Sequence, residues 1–182
     1  VSTGDVVLLS TATADGSATY LDFTSKITST YGEYIFRFYN IHPNNSNKYL
    51  DVSFSTDAGD NWGLTSTTTC FMAHHDEADS ATTLAYQSGS DIAQATDRMR
   101  LSDGAGTDND MSIAGELHLF NPASTTYVKH YYSRTSTYEQ SDRISDWYSA
   151  GYVNTTTAIN GVRFMISAYN IDAGTIKMWG VK

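Results

Sequence analysis

The sequence predicts an all-β fold, a two-sheet sandwich or a barrel, on three observations. The first is composition: 13 Tyr and 7 Phe stand against 2 Pro, and charged residues make up only 17% of the chain. Tyr, Phe, Val, Ile and Thr fit a half-buried pleated surface, and helix formers are scarce. The second is punctuation, since short apolar-aromatic segments recur throughout, parted by Gly, Asn, Asp and Ser clusters. The third is period-two alternation within those segments.

Taken in order, the segments are DVVLLS (5–10), ATYLDF (18–23), EYIFRFYNI (33–41), KYLDVSFS (48–55), TCFMAHH (69–75) and TTLAYQS (82–88). They continue with GELHLF (115–120), TYVKHYYSR (126–134), DWYSAGYVN (146–154), INGVRFMIS (159–167) and GTIKMWGVK (174–182). About ten strands result. In the third, Ile35, Arg37, Tyr39 and Ile41 oppose Tyr34, Phe36, Phe38 and Asn40; in the tenth, Val162, Phe164 and Ile166 oppose Arg163, Met165 and Ser167. One face of each is expected to point inward. Only SDIAQATDRMR (90–100) leans helical, where Ile92, Ala93 and Ala95 would form a turn or two in a connection between strands. No repeat or linker divides the chain, so residues 1–182 are expected to form a single domain.

A net charge of −9, with 11 Lys and Arg against 20 Asp and Glu, argues against nucleic acid, whose phosphates demand clustered cations. No apolar run approaches the ~18 residues of a membrane span, and VSTGDVVLLS has neither a basic n-region nor a long h-region. Neither membrane insertion nor a cleavable signal is predicted. The lone Cys70, beside Phe71, reads as a buried small hydrophobe rather than a reactive thiol.

FMAHHDEADS (71–80) holds metal-ligand residue types, His74, His75, Asp76, Glu77 and Asp79. Adjacent strand residues face opposite ways, so His74 and His75 cannot share an ion without a bulge, and His42, His118 and His130 lie far off in sequence. The stretch reads as a strand end running into a solvated acidic turn, and no metal is required. SDGAGTDNDMS (102–112) carries Asp103, Asp108 and Asp110, weak candidates for calcium; the spacing departs from the twelve-residue calcium loop, and an acidic turn is the better reading. STDAGDNW (55–62) has the S-x-D-x-G-x-x-W shape of an Asp-box hairpin, with Ser55, Asp57, Gly59 and Trp62 in place, a structural turn without catalytic content.

Neither a nucleophile elbow nor a phosphate-binding glycine loop is present, and no cofactor is expected. The chain is read as non-enzymatic. Aromatic supply is the remaining functional signal. TYVKHYYSR places Tyr127, Lys129 and Tyr131 on one face and Val128, His130 and Tyr132 on the other, so both faces carry rings. Trp62, Trp147, Tyr148, Tyr152 and Tyr131 are the binding candidates, with Asp146 beside Trp147 as a polar partner for a stacked sugar. Rings filling the core are the competing explanation.

Three blocks carry a family resemblance: the N-terminal VLLSTATADG to STDAGDNW, HLFNPASTTYVKH (118–130), and INGVRFMIS followed by IDAGTIKMWGVK, in which Gly174, Thr175, Ile176, Lys177 and Gly180 match and Trp179 replaces a commoner Tyr. Together they resemble a family of virion structural proteins of tailed, marine-type bacteriophages, over nearly the whole chain. That resemblance implies a jelly-roll β-sandwich and a capsid decoration or tail-fibre component at the virion surface, made in the host bacterial cytoplasm. It implies other capsid or tail proteins as partners and a homo-oligomeric state. The alternative is a fibre module that recognises a host-surface glycan through its aromatic residues.

Overall fold

The computed structural model describes residues 5–182, so the first four residues of the N-terminal stretch lie outside the described residues. Twelve strands build two antiparallel sheets packed as a β-sandwich. The larger sheet runs in the order β1 (Val6–Thr13), β12 (Ile171–Val181), β3 (Glu33–Pro43), β8 (Ile113–Phe120), β9 (Lys129–Glu139), β10 (Arg143–Val153), β5 (Ser66–Asp76) and β6 (Thr82–Tyr86). The smaller runs β2 (Tyr20–Phe23), β11 (Gly161–Ile166), β4 (Leu50–Ser55) and β7 (Met99–Arg100). Setting aside β5, β6, β9 and β10 leaves the orders 1-12-3-8 and 2-11-4-7, which is jelly-roll connectivity. Two insertions, β5–β6 and β9–β10, widen one sheet beyond the other.

The core lies between the sheets and follows the alternation. Tyr34, Phe36 and Phe38 of β3 point in beside Leu117 and Leu119 of β8, Ile176 and Met178 of β12, and Val162, Phe164 and Ile166 of β11. Phe164 meets three phenylalanine rings, Phe23, Phe36 and Phe38, at centroid distances of 5.2–6.1 Å. Ile41, expected on the face opposite Phe38, is nevertheless fully buried with it. A bulge resets the phase: the β3–β8 register shifts between Phe38 and Ile41, and Asn40 adopts φ 51°. Across the β3–β12 ladder Gly174 answers it at φ 114°, where a Cβ would lie 2.5 Å from the Asn40 carbonyl oxygen.

The expected turn or two of helix at 90–100 is absent. That segment lies along β5 in extended form, Ser66 and Ala95 exchanging both backbone hydrogen bonds at 2.8 and 3.2 Å, and it ends in the short strand β7 that the sequence reading missed. Edge pairing to an open strand satisfies its amides, which outweighs the weak helical leaning of two alanines. β9 begins at Lys129 rather than Thr126 and runs five residues further than predicted. No helix among the described residues is long and apolar enough to cross a membrane.

Candidate functional site

β8, β9, β10, β5 and β6 are hydrogen-bonded neighbours, and the outer face of this half-sheet carries rows of side chains running across the strands. Register fixes each row. Glu116, Arg134, Tyr148, Phe71 and Tyr86 form one; His118, Tyr132, Ala150 and Thr69 form the next; His130, Tyr152 and Thr67 form a third. Strands only about 4.8 Å apart make neighbouring rings in a row stack face to face. Phe71 lies on Tyr148 at 4.8 Å and 6°, and His118 on Tyr132 at 4.6 Å and 14°.

The rings are held from behind. Arg134 clamps Asp146 with two hydrogen bonds of 3.0 and 2.8 Å while its guanidinium lies 4.9 Å from the Tyr148 centroid, so Tyr148 is covered on both faces. His118 bonds Glu33 through Nδ1 and lies 3.1 Å from a Glu116 oxygen through Nε2. Burial together with the Glu33 and Glu116 carboxylates pushes the Tyr132 hydroxyl pKa upward. Tyr132 nevertheless leaves 46% of its surface open. Between Tyr132 and the Tyr148–Phe71 pair a depression of about 330 Å³ lies over Ala150 and Thr69. It is continuous at Thr69 and Ala150 with a second of about 350 Å³ bounded by His130 and Tyr152.

The five predicted binding residues separate by strand parity. Tyr148 and Tyr152 stand on this outer face, with the Tyr152 hydroxyl accepting from the Gln94 side chain at 3.0 Å. Trp147 and Tyr131 do not: at 1% and 3% exposure they point between the sheets, and they are withdrawn as binding residues. Tyr131 tilts against Phe54 at 5.7 Å, and Trp147 takes the Arg100 guanidinium at 4.6 Å. Lys129, expected on the same face as Tyr131, is buried with it, its ammonium donating to the Tyr127 and Thr155 carbonyls at 2.8 and 3.1 Å. Trp62 belongs to the other sheet. It folds over Gly59 and Gly161 and stacks with Arg163, which also covers Tyr20 and clamps Asp22. Tyr132, Phe71 and His118 are the residues sequence reasoning passed over as ligand contacts, and the ring-bearing partner strands were the available signal.

The Asp box is formed. The Ser55 hydroxyl donates to Asp57 at 2.6 Å, Asp57 accepts from the backbone and side chain of Asn61 at 2.9 and 2.7 Å, and these bonds hold its pKa down to about 2. The calcium candidates diverge. Asp103 accepts from Arg100 at 3.0 Å and Ser145 at 3.2 Å in the interior, Asp108 offers its carbonyl to His42 at 3.3 Å, and Asp110 lines an open depression near Asp172. Among the described residues no group of three or more His, Cys, Asp or Glu converges as metal ligands. At the 71–80 stretch His75 pairs with Asp79 at 3.1 Å, and Asp76 accepts from the Ser80 and Ala81 amides, closing the β5–β6 turn. Cys70 is buried, and that burial raises its thiol to about 11.

No family model matches the sequence. No curated protein matches it either. Among solved structures, a structural-genomics protein of unknown function from Bacteroides ovatus is similar over 57% of this chain and 45% of its own length, at 5% identity and a TM-score of 0.30. The aligned chain thus spans less than half of that protein, and a likeness of this size carries no functional argument.

Proposed function

We propose that the chain is a non-enzymatic structural protein of a bacteriophage virion, a capsid decoration or tail-fibre element held on the particle surface by protein–protein contacts. The observation that carries this reading is an apolar patch at one end of the large sheet. Phe71, Leu84, Tyr86 and Ile144 share its outer face, with Leu84 75% exposed on the edge strand β6. Clustered exposed apolar side chains mark interaction surfaces, and an open edge strand offers backbone groups for pairing. The resemblance of nearly the whole sequence to virion proteins supports the same reading. Its partners would be other virion proteins and further copies of this chain.

A cryo-EM map of the purified particle tests it. Density for the sandwich is expected on the capsid or tail with the β5–β6 end against a neighbouring subunit; a particle without this chain overturns the proposal. A second reading, a module for a host-surface glycan, is favoured by the depressions flanked by Tyr132, Tyr148 and Tyr152.

A further inference from the structure

Each row of the outer face is a stack of side chains, and in one row the stack stops short. His118 and Tyr132 are followed on β10 and β5 by Ala150 and Thr69, whereas the adjoining row continues through Arg134, Tyr148, Phe71 and Tyr86. His118 covers one face of Tyr132. The other face looks over Ala150 into the depression of about 330 Å³, whose far wall is the Tyr148–Phe71 pair.

We infer that the depression over Ala150 is a slot for one neutral pyranose ring of a glycan chain, seated on the free face of Tyr132. This rests on the glycan-binding reading and names its site and ligand class. Small-ligand sites are concave, aromatic and apolar with a few polar groups, of about 300–1,000 Å³, and this one falls within that range. Charge selects a neutral ligand, because the charges at its edge are already matched: Arg134 by Asp146, and Glu116 by His118 and by Arg37 at 3.4 Å. Polarity selects a sugar over an aliphatic protein side chain. A pyranose brings an apolar C–H face for the ring and hydroxyls for Thr69, Glu116 and the tyrosine hydroxyls, which an aliphatic occupant would desolvate without pairing. The walls are preorganised, since Tyr132 is braced by His118 and Tyr148 by Arg134 and Phe71, which reduces the ordering cost on binding. The adjoining depression at His130 and Tyr152 gives room for a second sugar along the chain.

The test is amide chemical-shift titration of the whole chain with β-1,4-linked glucose, mannose and galactose hexasaccharides, each alone. At least one is expected to shift Thr69, Tyr132 and Ala150. Ala150→Leu, which fills the slot without removing a ring, should weaken that binding about tenfold or more, as should Tyr132→Ala, while Tyr20→Ala on the opposite sheet should leave it unchanged. Retained amide dispersion establishes that each variant is folded, and the two slot variants act in opposite steric senses, so misfolding cannot imitate both. Shifts centred on Trp62 and Tyr20 would overturn the slot while leaving the glycan reading standing. No shift with any hexasaccharide at about 10 mM would overturn both. Slot amides that respond only to added virion proteins would likewise overturn the sugar assignment.

Discussion

At the scale of single residues, function and stability are divided by one position in the chain. Trp147 and Tyr148 are neighbours, as are Tyr131 and Tyr132, and in each pair one ring is in the interior and the other on the outer face. Trp147→Ala removes a 1%-exposed indole and the ring beneath Arg100, so a loss of about 3–5 kcal/mol is expected in urea denaturation. Tyr148→Ala, on the outer face, should cost about 1 kcal/mol, the order of one stacked pair. Equal losses for the two would contradict the assigned parity. Alternation in these strands was legible, but its phase was not, because the inward faces of β9 and β10 carry Ser133, Thr135, Thr137, Ser145 and Ser149 as well as rings. A hydroxyl-rich interior face looks like a solvent face until its partners are seen: Ser133 donates to the Glu116 carbonyl at 2.8 Å and Thr135 to that of Leu101 at 2.6 Å.

At the scale of elements, the strands that could be read are those whose two faces differ chemically. β3, β11 and β12 alternate against a hydrocarbon core, and the Asp box between β4 and β5 was visible because each of its residues makes a local bond that needs its own side chain. β7, two residues long, owes its existence to β4 beside it and leaves no periodic trace. The phase reset in β3 was equally hidden, since a bulge changes which residues face inward without changing composition. Asn40 tolerates its positive φ as a β-branched residue does not, so Asn40→Val should lower stability by about 1–2 kcal/mol while Asn40→Gly stays within about 0.5 kcal/mol of wild type. Chemical denaturation of the pair checks this. A valine variant as stable as the glycine one would show that the bulge is not fixed by residue 40.

At the scale of the whole molecule, the ionisable groups oppose one another across the pH range. Asp51, packed opposite Arg100 in the β4–β7 register, is raised to about 7 by burial against the pull of Arg100 and Arg98. Glu139 is raised to about 7 by burial and by its neighbour Asp103, against Arg143. Between the ordinary carboxyl range near 4 and pH 7, the folded chain holds these two protons while the unfolded chain has released them. The folded state then binds more protons, so stability falls as pH rises across that window: the contribution is full below about 4 and lost through about 7. Asp57 and Asp76 act in the other direction. Hydrogen bonds from Ser55 and Asn61, and from Ser80 and Ala81, lower both to about 2, so their contribution is present above the ordinary value and lost as pH falls toward 2. The urea midpoint is therefore expected to peak near pH 4–5 and to decline toward pH 8. Asp51→Asn, which keeps the shape and removes the titration, should flatten the decline on the alkaline side and leave the acid side as it was. A midpoint that instead rises from pH 5 to pH 8 would mean that Asp51 and Glu139 are ionised in the fold, with Arg100 and Arg143 outweighing the cost of burying them.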